Sequence, residues 1–212
     1  MSSVAIQGNA AGAGVFTIAS PNSASSYTAT LPTATTTLVG TDATQTLTNK
    51  TIQGGAITSG TVVASTSGTS IDFTGIPSWV KRIVIMYSGV STSGTANGQV
   101  QLGTGATPTY TTSGYASTLS SLLASTAATS NASTGFVNTG PSAASQVCSG
   151  QLTLVNMTGN LWVSQGVIGA SAATRTWINS GSLSLGAVLT AVRITTTSTD
   201  TFNAGSINIL YE

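Results

Sequence analysis

Between Lys81 and Ser88 a run of five apolar residues occupies both alternating faces of one strand. Ile83, Ile85 and Tyr87 fall on one side, and Val84 and Met86 on the other. A strand with one face in water carries a polar residue at every second position, so this run predicts a strand covered on both sides. It is too short and too β-branched for a buried helix. Upstream, Ile71-Asp72-Phe73 alternates, and Gly75 and Pro77 then break the pattern, so a short strand over 70–73 gives way to a turn before the central strand. The rest of the chain reads as what covers this strand.

Further strands follow at the spacing of a β-sandwich. Asn97-Gly98 signals a tight turn into Gln99-Val100-Gln101-Leu102, which alternates as a one-sided strand. Residues 151–156 and 161–168 flank Thr158-Gly159-Asn160 as a hairpin. Residues 189–196 and 206–211 end the chain, with Val192, Ile194, Ile207, Ile209 and Tyr211 expected to point inward. Leu119, Leu122 and Leu123 have helical spacing and predict one short helix. Residues 124–145 lack periodicity and read as an excursion loop.

Before this domain the chain changes character. Residues 1–40 contain two short strand patterns, Val15-Phe16-Thr17-Ile18 and Tyr27-Thr28-Ala29-Thr30-Leu31, each stopped by a proline-containing turn. Their apolar side chains are too few for a separate core, so this arm must bury them against copies of itself or a larger body. Residues 41–69 carry only a thin seam of Leu47, Ile52, Ile57 and Val62 and read as a flexible linker or a chain-wrapping stalk. The expected organisation is therefore all-β: a docking arm (1–40), a linker or stalk (41–69) and a β-sandwich head (70–212).

Composition narrows the function. Only 4% of the 212 residues are charged, against about 25% in ordinary soluble domains. Ser and Thr supply roughly a third of the chain. Such a surface stays hydrated through hydroxyls and amides, but has little charge to keep copies apart and is expected to self-associate. A net charge of +1 gives no field for steering nucleic acid, and no apolar run approaches the ~18 residues of a membrane span. Residues 1–8 lack the basic and apolar regions of a signal peptide, and Cys148 has no disulfide partner in the sequence, so the chain reads as made in a reducing cytoplasm.

The absence of histidine removes Ser-His-Asp and Cys-His catalysis and His-based zinc sites. Asp72 and Asp200 would form a carboxylate pair or calcium site only if the first and last strands of the head meet; turn-capping is the simpler role for each. Cys148 has no base to activate it, which leaves it a small buried residue. Gly103-Thr104-Gly105 lacks a lysine and a following helix, so no phosphate cradle or other cofactor site is read. The aromatic residues carry what chemistry remains. Trp79, Tyr110, Tyr115 and Trp177 are candidates for stacking on a glycan or for subunit contact, whereas Trp162, inside a strand, reads as core.

Two groups of segments resemble bacteriophage virion appendage proteins. One comprises Phe16-Thr17-Ile18-Ala19, Ala29-Thr30-Leu31-Pro32 and Thr46-Leu47-Thr48-Asn49-Lys50-Thr51-Ile52, and is similar to elements of phage fibre and head-fibre proteins. The other runs from Ile71-Asp72-Phe73 through Ile76-Pro77-Ser78 and Ser88-Gly89-Val90. Together with Ser113-Gly114-Tyr115 and residues 200–212, it resembles a terminal domain of such proteins. The resemblance implies a non-enzymatic virion structural protein, a homotrimer with a jelly-roll-type head. It would contact other virion proteins through Val15, Phe16, Ile18, Tyr27 and Leu31, and lie on the virion surface after assembly in the host bacterial cytoplasm. It implies either a capsid-decorating fibre or cement-like appendage, or a tail-fibre tip that binds a host surface carbohydrate.

Overall fold

The computed structural model describes residues 57–123, 127–171 and 175–212, with Ala24 and Ser26 as isolated positions. The chain divides into Met1–Lys50 and Thr51–Glu212, so the strands below all belong to the second unit. The arm predicted over residues 1–40 lies outside the described residues.

Among the described residues the fold is all-β, two antiparallel sheets in a sandwich-like arrangement. The fourteen strands are β1 (Thr58–Ser59), β2 (Val63–Ala64), β3 (Ser70–Thr74), β4 (Arg82–Thr92), β5 (Gly98–Thr104), β6 (Thr109–Tyr110), β7 (Ala116–Leu123), β8 (Ala127–Ala132), β9 (Phe136–Thr139), β10 (Cys148–Thr158), β11 (Leu161–Ala170), β12 (Arg175–Ser184), β13 (Leu189–Thr196) and β14 (Phe202–Tyr211). The large sheet runs β1-β14-β4-β10-β11-β12-β7-β8, with β2 also on β14; the small sheet runs β3-β13-β5-β6, with β9 also on β5. The chain crosses between sheets at β2–β3, β3–β4, β4–β5, β6–β7, β8–β9, β9–β10, β12–β13 and β13–β14, which ties the two layers together around one core.

The core lies where the alternating patterns meet. Ile83 and Ile85 of β4 are wholly buried and Tyr87 nearly so, opposite Val100 and Leu102 of β5 and Val192 and Ile194 of β13, all buried too. Tyr87 keeps its hydroxyl satisfied by accepting from Asn138 Nδ2 at 2.7 Å. On the other face of β4, Val84 and Met86 are only half-buried. The two-sided cover predicted for this strand is thus half realised within one chain. Ile207 and Ile209 point inward as expected, while Tyr211 at the sheet end is half-buried.

Three other readings are corrected. Leu119, Leu122 and Leu123 lie in β7, hydrogen-bonded between β12 and β8, and not in a helix. Pairing on both sides outweighs a helical spacing that three leucines in a Ser/Thr-rich run express only weakly. Within the supposed loop 124–145, β8 and β9 form; β9 buries Phe136 and Val137 completely. β5 is buried on both faces, because its polar face is covered by residues 133–135. Gln101 Nε2 donates to the Thr134 carbonyl at 2.9 Å, and Thr134 Oγ1 donates to Gln99 Oε1 at 2.9 Å, so the buried amides are satisfied.

The head also begins earlier than residue 70. Thr58 and Ser59 pair with Tyr211 and Leu210, and Val63 pairs with Ile207, so the end of the presumed linker edges the large sheet. Within the β14–β4 pair Gly205 takes φ +89°, and a Cβ there would sit 2.4 Å from the Gly89 carbonyl. That close approach admits only glycine, at the second of the two register shifts in this pair, between Ala204 and Ser206.

Removing methyl groups at the centre of this arrangement leaves a cavity. Ile85→Ala is expected to lower unfolding free energy by about 2–5 kcal/mol, read from urea denaturation; a loss below about 1 kcal/mol would contradict its place in the core.

Candidate functional site

Trp79 is the large aromatic side chain most exposed among the described residues, at 56%. It sits in the connection between β3 and β4, held by buried Ile76 and Val80 on either side. Ile76 N–H donates to the Thr190 carbonyl at 2.9 Å, and Val80 N–H to the Pro77 carbonyl at 3.1 Å, closing a turn that presents the indole outward. The ring leans on Tyr211, centroids 6.0 Å apart and tilted by 49°. Lys81 N–H and Arg82 N–H both donate to the Glu212 carbonyl, and the Arg82 guanidinium pairs with the Glu212 carboxylate. Lys81 Nζ donates to Asn156 Oδ1 at 3.1 Å, bringing the β10–β11 hairpin alongside. Exposed Met157 follows in that hairpin, and exposed Val188 borders a shallow depression of about 70 Å³ with Pro77 and Ser78. Exposed Ile57 precedes Thr58, which pairs with Tyr211. One end of the sandwich thus gathers Ile57, Trp79, Met157 and Val188, together with an ion pair and the point where the chain joins the head. Of these the sequence marked Trp79 as an aromatic candidate and Ile57 as part of the linker seam; Met157 sits at the irregular end of β10 and Val188 in the connection before β13, where periodicity carries no signal.

The other aromatic candidates are placed differently. Tyr115 is 4% exposed; its hydroxyl accepts from Leu102 N–H at 2.7 Å and its ring stands edge-on to Phe136 at 4.8 Å. Trp177 is 1% exposed on the inner face of β12. Neither ring is accessible to a sugar or a subunit in the folded head, so both are corrected to core residues. Trp177 lies on the inward parity of β12, and Tyr115 is turned under the small sheet just before β7, placements invisible without the pairing. Tyr110 lies on the outer face of the small sheet, but its ring is taken: the Arg193 guanidinium stacks 3.9 Å from its centroid. Trp162 is buried, as its place in a strand suggested. Val15, Phe16, Ile18, Tyr27 and Leu31, the docking candidates, lie outside the described residues.

The carboxylates are engaged separately. Both oxygens of Asp72 accept from Arg193, at 2.8 and 2.7 Å, in the bidentate geometry that is strongest for this pair. Asp72 therefore pairs across strands and does not cap a turn. Asp200 Oδ2 accepts from Ala96 N–H at 2.9 Å, so it ties the connection before β14 to the one after β4 in place of the expected cap on its own turn. The strand carrying Asp72 pairs with β13 and not with the final strand, so the pairing that would have joined the two carboxylates does not form. Among the described residues no three His, Cys, Asp or Glu side chains cluster as metal ligands. No described helix is long and apolar enough to cross a membrane.

Burial shapes the ionisable groups that remain. Desolvation pushes the Cys148 thiol up to about 11 and the Tyr115 phenol up to about 12. Burial, reinforced by the Asp72 carboxylate, pushes Tyr110 up to about 12. A thiol so raised is neutral near pH 7 and a poor nucleophile. For each group the folded state favours the neutral form, so stability is intact below the unfolded values of 9.0 for Cys and 10.0 for Tyr and falls as pH rises toward the folded ones. Urea midpoints are expected to stay level from pH 6 to about 9 and decline between about 9 and 12. Cys148 is expected to resist alkylation at neutral pH until the chain unfolds; rapid modification of the native protein would contradict its burial. No family model, curated protein or solved structure matches the chain.

Proposed function

We propose that the chain is a non-enzymatic structural subunit of a bacteriophage virion, a homotrimeric capsid-decorating fibre or cement-like appendage. The observation that carries this reading is the distribution of exposed apolar side chains. Ile57, Trp79, Met157 and Val188 stand at the end where the preceding chain joins the head, beside the C-terminal residues Tyr211 and Glu212. The opposite end is formed by the connections 65–69, 93–97 and 197–201, which contain no aromatic residue. Apolar patches of this kind mark contact surfaces. An end facing an anchoring body is the simplest use for one beside the chain's point of attachment, with the Ser/Thr/Asn-rich end turned outward. The sequence resemblance to phage appendages agrees with that polarity.

The alternative, a tail-fibre tip that grips a carbohydrate, asks for a stacking ring on the outward end. Trp79 is on the other end, and Tyr110, Tyr115 and Trp177 are covered, which weakens that reading.

The test is assembly and decoration. The full chain is expected to give three times the monomer mass by light scattering at micromolar concentration; a monomer would sink the trimer. A truncated chain of residues 51–212 retains β1 and β2 and is expected to fold with a β-rich circular dichroism spectrum, yet fail to bind particles that lack the protein. Decoration by that truncated chain would remove the docking role of residues 1–40.

A second measurement addresses Trp79. Because its indole is more than half exposed, Trp79→Ala is expected to leave the melting temperature of residues 51–212 within a few degrees of the original and to weaken particle decoration by the full chain. Undiminished decoration with lost adsorption to host cells would favour the carbohydrate-binding alternative.

A further inference from the structure

The outer face of the large sheet is the other surface that asks for a partner. Val155, Val167, Ile178 and Leu122 are exposed on it, at 37%, 51%, 45% and 44%. Val84 and Met86 of β4, half-buried, continue the same face. The register puts Val167 directly beside Ile178 and beside Gln151, and sets Ser120 on the far side of Ile178, so these residues form one continuous band across four strands. Gln165 and Ser180 pair next to the Val167–Ile178 step. A shallow depression of about 410 Å³ opens there, lined by Gln151, Gln165, Val167, Ile178 and Ser180.

Charge is missing from this band. Among the described residues, the charged side chains at the outer face of the large sheet are Arg82 and Glu212, paired with each other at one corner, with Lys81 beside them donating to Asn156. Asp72 and Arg193 belong to the small sheet, Asp200 to a connection at one end, and Arg175, whose guanidinium donates to the Gly140 carbonyl, shares the inward parity of Trp177. A partner with an ordinary charged surface would lose hydration of its charges here and find no counter-charge, a costly exchange. A surface equally uncharged, with amides and hydroxyls able to pair with Gln151, Gln165 and Ser180, has no such cost. The chain itself supplies one.

The area is sufficient. Seven neighbouring strands, β14-β4-β10-β11-β12-β7-β8, at about 4.8 Å spacing and about eight residues each at about 3.3 Å rise, give a face of roughly 750 Å². Stable interfaces bury about 800 Å² on each partner. The band has the anatomy of such an interface, with an apolar centre and polar neighbours.

We propose that this face, centred on Val167 and Ile178, is the surface on which a second copy of the chain packs. The inference rests on the homo-oligomer reading and says which surface forms the contact. It also accounts for β4 being apolar on both faces: one is covered by the small sheet and the other by a neighbouring subunit. In a cyclic trimer the contact is heterologous, so this face meets a different surface of the next subunit around the axis.

The test places one charge on the face and one elsewhere. Val167→Lys is expected to convert the oligomer to monomers by light scattering while the circular dichroism spectrum is kept. Thr74→Lys, on the exposed outer face of β3, is expected to leave the oligomer intact. Val167→Cys provides a second reading that tolerates a poorly folding lysine variant: with Cys148 buried, a maleimide is expected to label the new thiol at less than about a tenth of the rate seen in urea-unfolded protein. A wild-type chain that is itself monomeric overturns the oligomer reading and this inference with it. A wild-type oligomer that survives Val167→Lys, or a thiol at position 167 that labels as fast in the assembled protein as in the unfolded one, overturns the inference alone.

Discussion

The inward face of β4 is the contact on which the head depends. Ile83, Ile85 and Tyr87 fill the space between the sheets, and the same strand holds β14 on one side and β10 on the other. Because β14 is the final strand and β1 and β2 pair only with it, both ends of the head are fastened to the large sheet through β4. A core this dependent on one strand needs little help from charge. The two ion pairs among the described residues, Arg82 with Glu212 and Arg193 with Asp72, are both partly exposed and add little beyond orientation.

Polar side chains do the work that charge does elsewhere. Gln99, Gln101, Asn138 and Ser117 are buried, and each makes a hydrogen bond that ties a connection or neighbouring strand to the core. A buried amide with its partner costs little, and one without it costs a few kcal/mol, so such groups favour one arrangement of the strands over its competitors. A few polar atoms are left without a partner inside the large sheet, among them Ser164 Oγ and Asn179 Nδ2 on adjacent strands.

The functional reading follows from the same economy of charge. Among the described residues the surface is made of hydroxyls, amides and isolated apolar side chains, with few charges. It is suited to contact with surfaces like itself. The apolar end around Trp79 and the uncharged band around Val167 are separate surfaces, one at the base of the head and one on its flank, and they serve separate contacts in the proposed assembly.

Strands over 70–73, 81–88, 151–156, 161–168, 189–196 and 206–211 were legible in the sequence, because β-branched alternation and Gly or Asn turns are local signals, and most of the observed strands run further than those signals. So was the buried state of Ile85, Trp162 and Cys148. The pairing of Leu119 into β7, the cover over Gln99 and Gln101, and the inward aim of Tyr115 and Trp177 came only from tertiary structure. Each depends on which segment lies alongside, and a partner beyond the next turn leaves no local trace of that choice. The five-residue apolar run at Ile83 shows both halves of the lesson. Its two apolar faces were set by sequence alone, whereas which face the chain covers for itself, and which it leaves open, was decided by the order of strands around it.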